Sequence, residues 1–426
     1  EQMIWQTYEA GYEVALGAAG CDVAVVNTCG FLQEAREEAL AEIQKLVEQK
    51  QAGQLQKILV TGCMAQWWRD QLAQRCPQAD GFVGVSGYEN LPQVIDQALR
   101  GEHPALFGDI DAPIPETDRV VCTSDYWAWL RIAEGCDNRC AYCIIPKLRG
   151  RYRSREMASL LEEARALSDA GVKELIVIAQ DITKYGMDLP EHKRLLPELL
   201  RELCKMDFTW IRLHYLYPDQ ITDELIDVIA EEPTIVKYLD IPLQHVSKRI
   251  LRAMHRPGDG AEFTALIEDM RRRIPGLVLR TSLIAGLPGE TDDEFAELCE
   301  FLQNAAIERV GVFEYSPEEG TEAAEMPDQI DAETKQNRRL IVEELQSGVL
   351  DDYNTSRHGE VMQVLVEGFD DEQQLWYGRT YADSVEVDGH VYFDAMDTEP
   401  GEGEFVSVLI TESLGPDLLG VRQKEA

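Results

Sequence analysis

The sequence predicts an α/β architecture in three parts. These are an N-terminal parallel α/β domain, a central partial (β/α)6 barrel and a small C-terminal all-β barrel. Three observations predict it. Short apolar runs alternate with helical stretches from Asp22 to Leu99. The same alternation recurs six times between about Val121 and Ser347. Beyond Ser356 the helical periodicity stops, and short stretches of alternating apolar and polar residues replace it. The 426 residues suffice for about two to four domains. The expected boundaries are 1–105, 121–347 and 356–426, with a Pro-bearing linker over 106–120 and a connector over 348–355.

In the first part, Asp22–Asn27, Lys57–Thr61 and Gly81–Val85 read as buried strands. Gln33–Gln51 and Leu91–Leu99 read as helices. Two cysteines directly follow two of these strands: Cys29 in VVNTCGF and Cys63 in LVTGCMAQ. Strand C-terminal ends are where open α/β sheets bind ligands, and each cysteine has a glycine neighbour (Gly30, Gly62) that permits close backbone approach. On residues alone, two buried free cysteines are an equally good reading.

In the second part the strands are expected at Ala128–Ala133, Glu174–Ala179, Thr209–Leu216, Tyr238–Ile241, Leu277–Ile284 and Gly311–Tyr315. Helices such as Ser159–Ala170, Asp223–Glu231 and Asp292–Ala305 lie between them. Such a barrel carries its chemistry at the C-terminal strand ends. Gln180 and Asp181, Gln244 and His245, Arg280 with Thr281 and Ser282, and Tyr315 with Ser316 fall there. Any one of them can equally be a solvated or locally bonded loop residue. Asp331–Tyr353 reads as a connecting helix. The third part offers five strands, with Asp388-Gly389 as a hairpin turn.

The densest chemistry lies in EGCDNRCAYC, where Cys136, Cys140 and Cys143 fall at C-x3-C-x2-C. That spacing lets three thiolates converge from one loop on an iron–sulfur cluster and leaves one iron without a protein ligand. A zinc site would show paired C-x2-C units with a fourth Cys or His, and none follows. A basic run comes next: Lys147, Arg149, Arg151, Arg153 and Arg155. It can screen cluster and cofactor charge, touch nucleic acid, or simply be solvated.

Net charge is −38, which argues against nucleic acid as the main partner and suits a basic one. Residues 357–426 alone hold 16 acidic and 4 basic residues. Ten cysteines in so long a chain suggest a reducing cytoplasm with metal ligands, not a disulfide scaffold. No apolar run reaches membrane-spanning length, so no membrane partner is expected.

C-x3-C-x2-C with Tyr142 before the last cysteine resembles the signature of radical S-adenosylmethionine (radical SAM) enzymes. VVNTCGF and TGCMAQ resemble the N-terminal domain of the methylthiotransferases within that superfamily, and the C-terminal strands resemble a TRAM domain. The resemblance implies two [4Fe-4S] clusters and S-adenosylmethionine. Cys136, Cys140 and Cys143 would hold the cluster that cleaves the cofactor, and Cys29 and Cys63 would hold the second. The third ligand of that second cluster lies, in the family, in a Gly-Cys-Pro-Lys-Asn-like segment upstream of Glu1, so the sequence is expected to begin past it. Cys21 does not match that position, and Cys76 and Cys122 are expected to be structural. Tyr142 would pack near adenine. Gln180 and Asp181 would lie near the methionine amine, and Gln244, Arg280 and Ser282 near ribose and carboxylate. NTCGFLQEA, EGCDNRCAYCIIPKLRGRYRSR, QDITKYG and DIPLQHVSKRILRAMHRPG are similar to the RimO type. That type would modify the β-carbon of an aspartate in small-subunit ribosomal protein S-twelve with help from an external electron donor. A MiaB-type enzyme acting on tRNA adenosine would more typically carry Ser-Gly after Asp-Ile-Pro. A different radical SAM reaction and a non-enzymatic iron–sulfur protein are further alternatives.

Overall fold

A computed structural model describes residues 1–18, 20–115, 118–396 and 398–424. Residues 116 and 117 of the expected linker lie outside that set. The chain forms two compact units. One comprises Glu1–Cys122, Glu134–Arg153 and Ser316–Glu325; the other comprises Thr123–Ala133, Ser154–Tyr315 and Met326–Ala426.

The first unit is built on a four-stranded sheet in the order β1 (Val23–Thr28), β2 (Lys57–Gly62), β3 (Gly81–Val83), β4 (Ala105–Leu106), all parallel. The continuous apolar run of β2 follows from burial on both faces. Ile58 and Val60 meet the helix Gln33–Gln51 through Ala39, Ile43 and Val47. Leu59 meets the helix Leu91–Leu99 through Val94, Ile95 and Ala98. The sequence reading misses β4, because two residues beside Pro104 carry no periodicity. Backbone pairing defines it: Phe82 donates to Pro104 O at 2.9 Å and Gly84 to Leu106 O at 2.8 Å.

The second unit begins with β5 (Trp127–Arg131). A two-stranded ribbon, β6 (Ala133–Glu134) with β7 (Arg153–Ser154), brackets the cysteine loop. Then come β8 (Glu174–Ile178), β9 (Trp210–Leu213), β10 (Ile235–Asp240), β11 (Val278–Ala285) and β12 (Arg309–Glu314). The six-stranded sheet runs β12-β11-β10-β9-β8-β5, all parallel, and does not close on itself. This is the partial barrel the alternation predicts. The helix Ala332–Ser356 then leads to β13 (Val361–Asp370), β14 (Leu375–Arg379), β15 (Val391–Asp394), β16 (Phe405–Leu414) and β17 (Asp417–Arg422). These close into a barrel in the order β13-β14-β15-β17-β16 around Val364, Val366, Phe393, Val408 and Ile410.

The expected hairpin at Asp388-Gly389 is not formed. Trp376 pairs with Phe393 and Gly378 with Val391, so the connection between β14 and β15 spans residues 380–390. Three of its polar side chains turn inward to find partners. Asp383 accepts from Arg309 at 2.8 Å, Asp388 accepts from Tyr238 Oη at 2.7 Å, and Ser384 Oγ lies 3.0 Å from His214 Nε2.

Beneath that loop sits an ion network whose Glu174, Arg212 and Arg379 are fully buried. Glu174 accepts from Arg212 Nε at 2.6 Å and from Arg379 Nη2 at 2.7 Å, and Arg379 Nε reaches Glu367 at 2.7 Å. The small barrel thus covers the N-terminal ends of the six strands, packing Leu365, Ala382 and Val385 against Trp127, Trp210 and Val278. The C-terminal strand ends are left for chemistry. Burial works to raise the Glu174 carboxyl, but the two guanidinium groups outweigh it and hold it down to about 2.

Removing one partner of a buried ion network costs about 3–5 kcal/mol. Glu174→Gln is expected to lower unfolding stability by that order in denaturant titrations. The folded-state value is depressed, so the stabilisation is complete above the ordinary 4.5 and is lost as pH falls toward 2. The gap between wild type and Glu174→Gln should therefore narrow as pH falls below 4.5.

Candidate functional site

The loop between β6 and β7 carries the three clustered cysteines. Its closure requires glycine. Gly135 has φ +81°, and a Cβ there would lie 2.0 Å from Arg151 O. The Cys136 N–H donates to Gly150 O at 3.2 Å, and the Cys143 N–H donates to Cys140 O at 2.9 Å, making a turn. Arg139 takes a left-handed conformation (φ +49°) between the first two cysteines. Pro146 lies in the first turn of the short helix Ile145–Arg149. Cys136 and Cys140 are buried and Cys143 is half-buried, and none is in a disulfide. Among the described residues no three His, Cys, Asp or Glu side chains are already drawn together at metal-ligand spacing. The donor set is nonetheless three soft thiols on one glycine-closed loop, which fits an iron–sulfur cluster with one iron open. Tyr142 lies half-buried between the second and third cysteines.

Cys29 and Cys63 lie in the same unit. β1 and β2 are adjacent and parallel, and Thr28 pairs with Gly62, so both cysteines leave the same end of the sheet. Two glycines permit the approach. Gly62 has φ +99°, and a Cβ there would lie 2.3 Å from Thr28 O; one at Gly30 would lie 2.6 Å from the Cys63 carbonyl carbon. Buried Arg36 clamps the first loop, donating to Gly30 O at 3.0 Å and to Glu318 at 2.7 Å. Cys63 is buried and Cys29 exposed. Cys63 Sγ accepts from Arg149 Nε at 3.1 Å. Burial pushes the Cys63 thiol up, and Arg149 opposes it. Two soft donors on adjacent strand ends fit part of a second cluster. Cys21 does not join them; its thiol donates to Gly17 O at 3.5 Å. Cys76 is a core residue as expected, whereas Cys122 is exposed.

The basic run is engaged within its own units. Lys147 donates to Gly320 O, and Arg149 pairs with Glu134 at 3.4 Å. Arg151 Nε lies 3.4 Å from Asp111, Arg153 donates to Arg151 O at 2.6 Å, and Arg155 pairs with Glu163 at 2.6 Å.

Of the remaining candidates, Gln180, Asp181 and Gln244 follow C-terminal strand ends of the second unit, whereas Arg280 and Ser282, expected at such an end, lie within β11, with Arg280 paired to Arg309 at the start of β12. Gln180 follows β8, and its Oε1 is buried without a hydrogen-bond partner. An orphaned acceptor of this kind suits a cationic N–H donor such as an amino acid's ammonium. Asp181 is fully buried and accepts from the Thr183 N–H at 3.1 Å, capping the turn Ile182–Lys184. Gln244 has φ +70° and stitches the end of β10 to β11, donating to Ser282 O and accepting from the Ile284 N–H, both at 2.8 Å. Arg280 donates to Asp240 at 2.9 Å, and Ser282 is half-buried beside Gly311. His245 is a local hydrogen-bonding residue: its Nδ1 accepts from the Ser247 N–H at 2.9 Å, and burial pushes it down to about 4.

Sequence reasoning missed His214 and Asp240. His214 Nδ1 lies 3.6 Å from Asp240 Oδ2. Asp240 pairs in register with Arg280, which places both on one face of the sheet. Burial works to raise the Asp240 carboxyl, but His214 and Arg280 outweigh it and hold it below the ordinary range. The available signal was a charged residue closing the apolar run IVKYLD.

The radical SAM superfamily matches residues 130–302, the TRAM domain residues 359–422, and a family described as uncharacterized protein family UPF0004 residues 1–84. A "Ribosomal protein uS12 methylthiotransferase RimO" from Lachnoclostridium phytofermentans is 44% identical over 99% of this chain and 96% of its own. Its namesake from Clostridium acetobutylicum is 40% identical over 100% and 95%.

The chain belongs to the RimO family of radical SAM methylthiotransferases.

A third relative, from Anaeromyxobacter sp. strain K, is 44% identical over 99% of this chain and 89% of its own. The fold is also similar to that of a radical S-adenosylmethionine methyltransferase, TsrM, from Kitasatospora setae, solved with cobalamin and a [4Fe-4S] cluster bound. The TM-score is 0.50 at 15% identity, over 68% of this chain and 63% of that one. S-adenosylmethionine and [4Fe-4S] clusters are the cofactors of the family.

The glycine cradle gives a direct test. Gly62→Ala forces a Cβ onto backbone at a positive φ. It is expected to lower the iron bound per chain by about half, the share of one of two four-iron clusters, while Cys136, Cys140 and Cys143 keep theirs. Iron and sulfide assays on the anaerobically reconstituted protein measure this.

Proposed function

We propose that this chain transfers a methylthio group to the β-carbon of an aspartate in ribosomal protein uS12. The observation that carries the reading is the meeting of two sets of thiols in one compact unit. Cys136, Cys140 and Cys143 lie on one loop, Cys29 and Cys63 follow two adjacent strands, and Arg149 of the first loop touches Cys63 at 3.1 Å. Near-full-length relatives named for uS12 supply the substrate.

An unactivated C–H bond lies beyond any side-chain base at neutral pH. When bound, S-adenosylmethionine and its cluster would supply a radical able to take that hydrogen, the second cluster the sulfur, and a second S-adenosylmethionine the methyl. The chain's own residues bind and orient. Cys136, Cys140 and Cys143 would hold the first cluster, and Cys29 and Cys63, with a third cysteine, the second. Gln180 Oε1 would accept from the cofactor's ammonium. Arg280, Ser282 and Gln244 would hold its carboxylate and ribose, and Tyr142 its adenine. Asp181 would act indirectly, by fixing the turn that follows Gln180. Domain boundaries at 1–105, 121–347 and 356–426 suit this division of labour, with 106–120 and 348–355 as connections.

The partner's chemistry also agrees. A net −12 over residues 357–426 suits a basic ribosomal protein and repels an RNA backbone. Among the described residues no helix is long and apolar enough to cross a membrane. An enzyme acting on a ribosomal protein would work in the cytoplasm, and radical generation would draw on an external electron donor.

The test is anaerobic incubation of the reconstituted full-length protein with S-adenosylmethionine, reductant, sulfide and either uS12 or adenosine-modified tRNA, followed by mass spectrometry of both. Gain of one methylthio group in place of hydrogen on a uS12 aspartate is expected. The same gain on tRNA alone would overturn the substrate. Cys140→Ala is expected to abolish both product and 5′-deoxyadenosine.

A further inference from the structure

We propose that Arg149 sets the reduction potential of the cluster bound by Cys63, through its N–H···S contact with that ligand. The proposal rests on the reading of Cys63 as a cluster ligand.

Arg149 ends the short helix that follows the three clustered cysteines. Its Nε lies 3.1 Å from Cys63 Sγ, and its Nη1 lies 3.4 Å from Glu134 at the start of the same loop. One side chain therefore joins the loop of the first cluster to a ligand of the second. A neutral thiol is a weak acceptor, and a guanidinium is permanently charged. A sulfur that carries negative charge is the partner that makes the contact favourable, and a cluster ligand is such a sulfur.

The surroundings amplify the charge. Cys63 is buried with Ile144 and Leu148, and Trp67 and Val85 pack against the same cluster of side chains. In an apolar shell a charge acts across a low dielectric. Reduction adds negative charge to a cluster, so a guanidinium against a ligand sulfur stabilises the reduced form and raises the potential. Hydrogen bonds to sulfur and net charge are the levers by which proteins set such potentials. Glu134, at the far side of the guanidinium, fixes its orientation. Lys147, two residues earlier, points elsewhere, donating to Gly320 O beside the Trp67 ring, and does not duplicate this role.

A strut between Glu134 and the helix would explain the same distances without touching the potential, and a redox titration separates the two. The background is the full-length protein with Cys136, Cys140 and Cys143 replaced by alanine, so that only the second cluster remains. Its potential is read by anaerobic titration followed by electron paramagnetic resonance. With Arg149→Met, the ratio of reduced to oxidised cluster at the original midpoint is expected to fall about tenfold, a shift of about 59 mV to more negative potential for one electron. Arg149→Lys retains the charge without the planar donor and is expected to shift less, in the same direction. Unchanged midpoints in cluster-loaded Arg149→Met and Arg149→Lys proteins would overturn the proposal. Should Arg149→Met fail to hold a cluster, Arg149→Lys alone decides by the same criterion. Absence of any cluster in the background protein would overturn the reading of Cys63 as a ligand, and the proposal with it.

Discussion

Closure of the segment 134–153 on itself is the constraint on which the site depends. The chain leaves the six-stranded sheet after one strand, carries three cysteines through a tight loop, and returns. The loop closes because Gly135 lets the backbone meet Arg151 O at a distance no side chain tolerates. Asp111 fastens the returning limb by accepting from the Arg151 N–H at 2.8 Å. The same device recurs at Gly30 and Gly62, where two strand-end loops meet backbone to backbone. Thiols can converge on a bulky cluster only if the peptides that carry them approach closely, and glycine removes the obstacle.

Charge follows a second rule. The chain has 40 basic and 78 acidic residues, and many arginines are turned inward. Arg212 and Arg379 flank Glu174, Arg309 meets Asp383, Arg338 meets Glu290 and Arg36 meets Glu318. Each buried guanidinium neutralises an acid that burial alone would disfavour. Each buried cation takes an acid inside with it, so the solvent-facing surface keeps the net negative charge of the composition, which suits a basic protein partner over RNA. The C-terminal barrel contributes to both effects: its buried Arg379 ties it to β8, while its remaining charge is strongly negative.

Local chemistry made much of this legible in the sequence. C-x3-C-x2-C, the cysteines placed directly after apolar strands, and the alternation of strands with helices are properties of neighbouring residues. Asp223–Glu231 and Asp292–Ala305 form helices over the expected residues because Thr222 and Thr291 cap them at the ends of clear periodic runs. What escaped depends on partners distant in sequence. The strand β4 exists only by pairing with β3. The connection 380–390 looked like strand because its alternation is real, but Asp383, Asp388 and Ser384 face Arg309, Tyr238 and His214. The cap that Asp181 provides to its own turn was not read from the sequence. Asp240 looked like the end of an apolar strand and proves to hold both Arg280 and His214.

Mössbauer spectroscopy on full-length, isotopically iron-labelled protein, with and without S-adenosylmethionine, tests the central claim most directly. The expected spectrum is that of two [4Fe-4S] clusters, with addition of the cofactor changing the signal of one iron in the cluster held by Cys136, Cys140 and Cys143. A single cluster, or two clusters whose spectra are indifferent to S-adenosylmethionine, would contradict it.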